Sequence, residues 1–298
     1  MTQLGEYETV EVDPELEQRA EKEKSRHGLF TALPSYVYLI LFFAIPLVVV
    51  FIFSFASRSR TGRPLLEEWN LDSWTGLVNP LVASIAWRSL WLAVVNTLLC
   101  LLIGYPFAYW IATRRRASTR NILLVLVLIP FWSNFLVRTY AWRTLLDFDG
   151  LVTQFGEATG LWGQLLFTTP AVFIGLLYGY LPFMVLPLFA AIERIDWGLI
   201  EAARDLYASG YDAFKNVTLP LSKPGIIAGS TLVFIPSLGA YVTPDILGGA
   251  RTTLLGNYIV SQFGAARNWP LGAALSSAIL IIMLVATIYY FRSGAKTL

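Results

Sequence analysis

Residues that could carry covalent or metal chemistry are scarce in this chain. It has one histidine, His27, and one cysteine, Cys100, which lies inside an apolar run. A single cysteine excludes an internal disulfide and any metal site built from several cysteines. The sequence also lacks H-E-x-x-H, a G-x-S-x-G nucleophile turn and a G-x-x-x-x-G-K-[ST] phosphate loop. These absences argue against catalysis and against phosphate-loop ATP binding by this chain.

The composition is typical of a membrane protein that crosses the bilayer several times. Of its 298 residues, 56% are hydrophobic and 14% are charged, and the mean hydropathy is +0.59. Soluble domains usually carry about 25% charged residues. The net charge of +2 is too small to indicate nucleic acid binding. Segment 1–24 is acidic and lacks the pattern of a cleavable signal peptide, so we expect no removed leader.

Six apolar stretches predict the elements that must hold any functional residues in place. A membrane-spanning helix needs roughly 20 apolar residues. Because lipid cannot hydrogen-bond to the backbone, helices are the expected form for all six. The predicted fold is therefore an all-α membrane protein with about six transmembrane helices. These helices are expected at approximately 34–56, 89–112, 121–141, 169–191, 225–243 and 271–291.

Lysines and arginines near the helix ends predict the orientation. With both termini cytoplasmic, 14 of the 22 basic residues lie inside and 8 lie outside. The strongest signal is the loop 113–120 with its four arginines, whereas Arg58, Arg60 and Arg63 argue the other way. We therefore predict a multi-pass protein with both termini in the cytoplasm.

An N-terminal tail, residues 1–33, precedes the transmembrane domain at 34–298 and is predicted to be cytoplasmic. Asp13 is a good helix N-cap, Pro14 suits the first helical position, and Glu15 favours the first turn. Glu15 can also pair with the arginine four positions on. The tail is therefore expected to contain a short, solvated surface helix.

A polar stretch, EAARDLYASGYDAFKNVTLPLSKPG, interrupts the apolar pattern from residue 201. Asp196 is a possible cap for a short helix that begins near Glu201. After a glycine bend, residues 211–217 can form a second short helix, which Pro220 and Pro224 are expected to end. The product is an exposed helix–turn–helix on the cytoplasmic side, between predicted helices 4 and 5. Such an element suits docking against a partner.

The order of residues in this stretch resembles the EAA signature of ABC importer permeases, the membrane components of binding-protein-dependent transport systems. Glu201, Ala202 and Ala203 match the start of the signature, and segment 217–220 falls at its Leu-Pro end with the spacing intact. One position departs, because Tyr207 stands where the family has glycine. A left-handed or tightly packed backbone at that position would be costly for tyrosine, so the helix is expected to end differently there.

The resemblance implies a type I ABC importer permease in which residues 193–222 form a coupling segment that enters a groove on a cytoplasmic ATPase. The residues implied at this contact are Glu201, Ala202, Ala203, Asp205, Leu206, Tyr207, Ala208, Leu219 and Pro220. Closing of the ATPase pair would then rock the spans between inward-facing and outward-facing states.

The same resemblance implies the partners. They are two cytoplasmic ABC ATPase subunits, a second permease subunit that is a copy or a homologue, an external substrate-binding protein and the bilayer of the bacterial inner membrane. Such a chain binds no cofactor or metal itself, because ATP and Mg²⁺ belong to the partner ATPase.

Two further stretches, 130–142 and 241–274, resemble the first permease subunit of spermidine/putrescine transporters. The second is the more specific, because Pro-Asp-Ile-Leu-Gly-Gly and Asn-Trp-Pro recur there in order. A polyamine needs carboxylates and aromatic faces, and a cation over an aromatic ring gains about 0.5–2 kcal/mol. The pathway residues that follow from this resemblance are Trp132, Tyr140, Trp142, Tyr180, Tyr241 and Asp245.

Structural interpretations of these residues stay open. Tryptophan and tyrosine are also enriched at both membrane interfaces as anchors, and Asp245 could instead cap the glycine-rich turn that follows it. Arg138 would repel a dication unless it is paired. Gly225 and Gly229 form a G-x-x-x-G pair that could bring a second permease subunit close.

Three other functions were weighed against a polyamine permease. Another solute of the same superfamily, such as iron, sulfate or an opine-like compound, fits the same signature. An ion-driven secondary transporter would favour ionisable residues at mid-membrane depth, and the central parts of the apolar runs contain no charged residue. A membrane enzyme is disfavoured by the missing catalytic motifs.

Overall fold

The computed structural model describes residues 32–59, 62 and 64–294, which are predominantly helical and confirm the predicted all-α class. The tail helix predicted from the run at 13–15, with its Glu15–Arg19 pair, lies outside the described residues. So does the single histidine, His27.

Thirteen elements organise the described residues. In chain order they are α1 (Ala32–Phe53), β1 (Ala56–Arg58), β2 (Pro64–Trp69), α2 (Asp72–Thr75), α3 (Pro80–Ala112), α4 (Ala117–Leu128), α5 (Phe135–Leu146), α6 (Leu151–Thr159), α7 (Thr169–Glu193), α8 (Trp197–Asp205), α9 (Gly210–Leu238), α10 (Leu255–Phe263) and α11 (Trp269–Gly294). Strands β1 and β2 pair antiparallel. This short ribbon was not predicted by the hydropathy pattern.

Four helices, α1, α3, α7 and α9, are long and apolar enough to cross a membrane. Helix α11 has 26 residues, of which Trp269–Val285 form its apolar run. The remaining predicted span is bent. The described residues therefore contain the expected apolar helices, while the count of six crossings stays a prediction.

The predicted span 121–141 is wrong as a single helix. The segment Ala117–Trp132 meets Phe135–Thr159 at an angle of 89°. At the break, Ser133 has an extended backbone with ψ 150°. The Asn134 side chain then caps the next helix by accepting a hydrogen bond from the Leu136 backbone N–H at 2.8 Å. Hydropathy did not register this bend because the residues on both sides of it are apolar.

Helix α9 also differs from the prediction, because it does not end at Pro220 or Pro224 but runs through both. A π turn at Phe214–Thr218 precedes the first proline, and the Leu219 backbone N–H donates to the Phe214 carbonyl five residues back. A proline lacks the N–H of a regular turn. The wider π turn rearranges the local hydrogen bonds and lets the helix continue past it.

The core is formed by α3, α7 and α9. One buried cluster draws on all three helices and includes Cys100, Ile111, Met184, Leu188 and Val233. This three-helix core holds the two ends of the molecule in a fixed relation.

Gly225 and Gly229 allow α9 to approach α7 of the same chain. A Cβ at position 225 would lie 2.5 Å from the Ala191 Cβ, and one at position 229 would lie 2.8 Å from the Met184 sulfur. The close approach expected of a G-x-x-x-G pair is present. Its partner is the chain's own helix, which corrects the suggestion that this pair contacts a second permease subunit.

Side-chain hydrogen bonds join α3 to α9. Asn96 Nδ2 donates to Ser237 Oγ at 2.9 Å in a fully buried position. The Tyr105 hydroxyl and Ser222 Oγ lie 2.8 Å apart. Bonds of this kind between membrane helices contribute about 0.6 kcal/mol on average. Together they fix the register of the two helices at separate depths.

Two polar contacts mark the opposite ends of the bundle. At one end, Arg120 Nη2 lies 2.9 Å from Glu193 Oε1, and we call this the elbow end because α8 follows it. At the other, Arg58 Nη2 donates to the Ala266 carbonyl at 2.7 Å, and we call this the hairpin end. The 33 residues of α3 separate these ends by about 50 Å.

Candidate coupling elbow and substrate pathway

The elbow, residues 196–218, begins with a capped helix. The Asp196 side chain accepts a hydrogen bond from the Gly198 backbone N–H at 2.9 Å, so the predicted cap is present. Helix α8 therefore starts at Trp197 rather than near Glu201, and Glu201 lies within it. Ile200 is buried on the inner face of α8. The predicted contact residues of α8 lie mostly on its exposed face. The exposed members of the predicted set in this segment are Glu201, Ala202, Asp205, Leu206 and Tyr207, and Ala203 and Ala208 are half-buried.

Tyr207 occupies the left-handed position that ends α8, with φ +63°. The Tyr207 N–H donates to the Arg204 carbonyl at 2.9 Å, and the Ala208 N–H donates to the Ala203 carbonyl at 3.1 Å. This pair of bonds defines a Schellman motif, in which glycine usually occupies the left-handed residue. The backbone geometry of a glycine is thus retained while the residue is tyrosine. The local change in the helix ending that was expected from the sequence is therefore absent.

The tip of the elbow presents apolar side chains to solvent. Leu206 is 81% exposed, Tyr207 is 98% exposed and Tyr211 is 70% exposed. We call these three residues the tip patch. Three such side chains left uncovered in a turn of a single chain indicate a contact surface for another protein.

The second half of the elbow is held rigid by a capping box. The Asp212 N–H donates to Ser209 Oγ at 3.2 Å, and the Ser209 N–H donates to Asp212 Oδ2 at 3.3 Å. Tyr211 lies between these residues and was missed as a contact residue in the sequence analysis. The signal that could have found it is the S-x-x-D pattern, which places Tyr211 in the first turn of a capped helix.

Two aromatic side chains anchor the elbow on α3. Phe214 packs edge-on against Tyr105 and Tyr109, with ring centroids 5.7 and 6.1 Å apart. Trp197 packs against Tyr109 at 6.3 Å. The Phe214 ring is thus directed toward α3 of the same chain rather than away from it.

Leu219 and Pro220 lie on α9 beyond the π turn and not at the tip. Thr218 before them is buried, Leu219 is half-buried and Pro220 is exposed. Their place in the signature thus corresponds to the helix that carries the elbow rather than to its apex.

The first group of predicted pathway residues lies around the bend before α5. Trp132, at the bend, is 83% exposed, and Tyr140 is also exposed. Trp142 is half-buried and packs against Tyr178 of α7, with ring centroids 5.6 Å apart. Tyr178 was not singled out from the sequence, because a tyrosine in an apolar helix gives no pattern that distinguishes it.

The second group lies where α9 ends at the hairpin end. The Tyr180 hydroxyl donates to the Pro236 carbonyl at 3.3 Å. Tyr241 is exposed, and its carbonyl accepts from Asp245 N–H and Asn257 Nδ2, both at 2.9 Å. The Asp245 side chain is exposed and has no hydrogen-bond or ion-pair partner among the described residues. Its carboxylate therefore does not cap the glycine-rich turn.

The two groups meet at one buried cluster. Trp142 and Ile246, the neighbour of Asp245, both pack against the cluster that contains Leu146 and Leu247. The cavity beside Trp142 has a volume of about 10 Å³, too small for a polyamine.

Arg138 lies beside that small cavity. Its guanidinium carbon is 4.9 Å from the centre of the Phe131 ring. Its Nε and Nη1 atoms are buried without a hydrogen-bond partner. The described part of the chain thus supplies no acidic partner for Arg138, which would otherwise reduce its repulsion of a dication. Within that part, no group of three histidine, cysteine or acidic residues converges to hold a metal ion.

Comparison with known families assigns the chain. Residues 104–295 match the model of the binding-protein-dependent transport system inner membrane component family. This chain belongs to that family. It is therefore a transport subunit of an inner membrane and not an enzyme, and ATP hydrolysis belongs to a separate subunit.

This permease has close relatives of similar length. It is 41% identical over 260 residues to the spermidine/putrescine transport system permease protein PotB of Haemophilus influenzae, covering 86% of this chain and 90% of the relative. PotB of Escherichia coli is 39% identical over 260 residues, covering 86% of this chain and 94% of the relative.

A solved structure shares the fold of the permease. A chain of the bacterial alginate ABC transporter, in complex with its alginate pentasaccharide-bound periplasmic protein, superposes with a TM-score of 0.70. The two are 17% identical, and the match covers 90% of the permease and 94% of that chain. This confirms the predicted importer-permease architecture. The roles assigned above to individual elbow and pathway residues stay predictions.

Proposed function

We propose that this permease is one of two membrane subunits of an ATP-driven importer for polyamines. The substrate is supported by the two relatives named for spermidine and putrescine transport. The unpaired Asp245 carboxylate and the exposed rings at the hairpin end fit the same chemistry, because ammonium groups favour carboxylates and aromatic faces. The single observation that carries the coupling role is the tip patch, held out by a Schellman motif and a capping box.

The elbow acts as a lever in this proposal. An ATPase groove receives Leu206, Tyr207 and Tyr211, and ATPase closure moves α8. Because Trp197 and Phe214 pack on the tyrosines of α3, the displacement passes to α3 and, through the buried core that the two helices share, to α9. ATP and Mg²⁺ are bound by the ATPase, and this chain holds neither.

The elbow end faces the cytoplasm in the proposed orientation. The basic loop 113–120 lies at that end, as Arg120 and its ion pair with Glu193 place it. Arg58, one of the residues that argued for the opposite orientation, donates a hydrogen bond to the Ala266 carbonyl at the hairpin end. The excess of basic residues at the elbow end supports the proposed orientation.

The second permease subunit, a copy or a homologue, completes the pathway. Asp245 and Tyr241 provide one wall, which receives substrate from an external binding protein at the hairpin end. A carboxylate from the second subunit is proposed to offset the Arg138 charge. A low-affinity pathway is sufficient, since the binding protein supplies the affinity.

Uptake into proteoliposomes tests the substrate. The complete importer is reconstituted with its binding protein, and uptake of labelled spermidine is compared with uptake of ferric iron and sulfate. We expect uptake of spermidine alone, and only with internal ATP. Preferential uptake of iron or sulfate would move the assignment to another solute of the superfamily, and uptake driven by an ion gradient without ATP would contradict the importer.

Impermeant thiol labelling tests the orientation. In a Cys100→Ser background, one cysteine is placed at Leu206 in the tip patch and another at Leu161, which is exposed at the opposite end. We expect the impermeant reagent to label position 161 in intact spheroplasts, and position 206 only after lysis. The reverse result would place the elbow outside and end the coupling proposal.

A further inference from the structure

The turn between α3 and α4 carries positive charge that neither the coupling role nor the substrate pathway uses. Arg114 lies over the Trp110 ring, with its guanidinium carbon 4.3 Å from the ring centre, and its Nε donates to the Trp110 carbonyl at 3.1 Å. Arg115 and Arg116 are exposed and have no hydrogen-bond or ion-pair partner among the described residues. Glu193, an acidic residue at this end of the bundle, forms its ion pair with Arg120.

An apolar cavity of about 260 Å³ lies next to this turn, between α3, α4 and α7. Its walls include Phe107 of α3, Leu126 and Val127 of α4, and Leu181 and Val185 of α7. It is open along one side, so that an elongated apolar molecule can enter from the surrounding lipid.

The cavity and the basic turn form one continuous strip. Phe107 stacks on Trp110 at 6.0 Å, and Trp110 in turn lies under Arg114. Phe107 and Arg114 are seven positions apart across the end of α3, so that the cavity begins about 10 Å from the arginines. The strip runs from an apolar slot to an aromatic ring and then to cations without an ion-pair partner. This order matches a phospholipid, which runs from an apolar chain through the interface to a charged headgroup.

We propose that this strip is a binding site for an anionic phospholipid. The phosphate is held by Arg114, Arg115 and Arg116, since guanidinium groups bind phosphate through paired hydrogen bonds. The acyl chain occupies the cavity between α3, α4 and α7. Clusters of basic residues beside a membrane helix favour anionic over neutral headgroups. The site depends on neither the substrate nor the direction of transport.

Lipid retention by the full-length chain tests this proposal. Chain purified in mild detergent is equilibrated with equal amounts of phosphatidylglycerol and phosphatidylcholine of the same acyl composition, passed through a desalting column, and analysed for bound lipid by mass spectrometry. We expect the wild type to retain phosphatidylglycerol in excess by roughly fivefold or more. The Arg114→Gln/Arg115→Gln/Arg116→Gln variant should retain the two lipids about equally.

Two variants distinguish binding at this site from an effect of net charge. Replacing the same three arginines with lysine preserves the charge and should keep most of the preference. Replacing three exposed arginines elsewhere, Arg88, Arg143 and Arg267, with glutamine removes the same charge and should leave the preference unchanged. If this matched variant loses the preference as fully as the first, the effect is one of net charge and the site is refuted.

The cavity has its own test. Val127→Trp fills the slot and should lower retention of phosphatidylglycerol, while an excess of glycerol 3-phosphate should not displace the lipid from the wild type. Displacement by glycerol 3-phosphate would identify a free phosphate site instead. If the triple glutamine variant elutes as an aggregate, the single Arg115→Gln and Arg116→Gln variants replace it, and an unchanged lipid ratio in both overturns the proposal.

Discussion

The elbow end and the hairpin end differ in how far the chain satisfies its own polar groups. At the elbow, caps at Asp196 and Ser209 and the Schellman bonds around Tyr207 satisfy backbone hydrogen-bonding groups at the helix ends. What this end presents to a partner is the apolar tip patch. At the hairpin end, Arg138 has buried nitrogen atoms without partners, and Asp245 has a free carboxylate. In the proposed function, the elbow is a complete docking element, whereas the pathway is half of a site that the second permease subunit completes.

Disrupting the tip patch gives the largest expected effect. Leu206→Asp/Tyr207→Asp places two charges in the proposed ATPase groove, and two contact residues of this kind can each contribute about 2 kcal/mol, so that attachment should weaken tenfold or more. Co-purification of the ATPase and spermidine uptake measure this.

The matched control carries the same changes at the other end. Phe148→Asp/Leu161→Asp alters two exposed apolar residues near the hairpin end and should leave ATPase attachment unchanged. Normal attachment in the tip variant would show that the ATPase binds elsewhere.

Cutting the anchor of the elbow should give the next largest effect. Phe214→Ala removes the ring that packs on Tyr105 and Tyr109, and since removal of a buried phenylalanine costs about 3–5 kcal/mol, this half-buried one should cost roughly 2. The tip patch is left intact, so the ATPase should still attach while the spermidine imported per ATP hydrolysed falls severalfold.

A second variant distinguishes lost coupling from lost stability. Tyr105→Phe keeps the ring contact and removes only the hydroxyl that meets Ser222, so that uptake per ATP should fall little. An unchanged ratio in Phe214→Ala would mean that force reaches α3 by another contact.

Neutralising the free carboxylate tests the other side of the comparison. Asp245→Asn removes the attraction for an ammonium group and should reduce uptake at limiting spermidine about threefold, since an exposed ion pair contributes roughly 0–1 kcal/mol. Uptake at saturating spermidine should change less. Asp149→Asn, an exposed carboxylate near the start of α6, is the control. Equal loss in both variants would indicate a general field effect rather than a pathway residue.

The sequence predicted local chemistry better than arrangement. The Asp196 cap follows from neighbouring residues and is present. The continuation of α9 through Pro220 was not predictable, because the π turn at Phe214–Thr218, directly before it, rearranges the hydrogen bonds around the missing N–H. Likewise, the spacing of Gly225 and Gly229 indicates a close helix contact but cannot identify the partner helix.

The pathway residues were predicted individually, but the sequence could not predict how they are arranged relative to one another. Trp142 and the neighbour of Asp245 meet through a buried cluster formed by residues from four separate segments. No periodicity connects such segments. The 89° break before α5 was hidden for the same reason, since apolar residues lie on both sides of it.

Tyr207→Gly gives the smallest effect and separates the two properties of this residue. Relief of the left-handed strain should stabilise the end of α8 by about 1 kcal/mol, less a few tenths for the greater freedom of glycine in the unfolded chain. Slower amide hydrogen exchange at residues 207 and 208 measures this. The same change removes a ring from the tip patch, so that ATPase affinity should fall. Tyr207→Ala keeps most of the strain and also removes the ring, and equal affinity in the two variants would assign the contact to the ring rather than to the backbone.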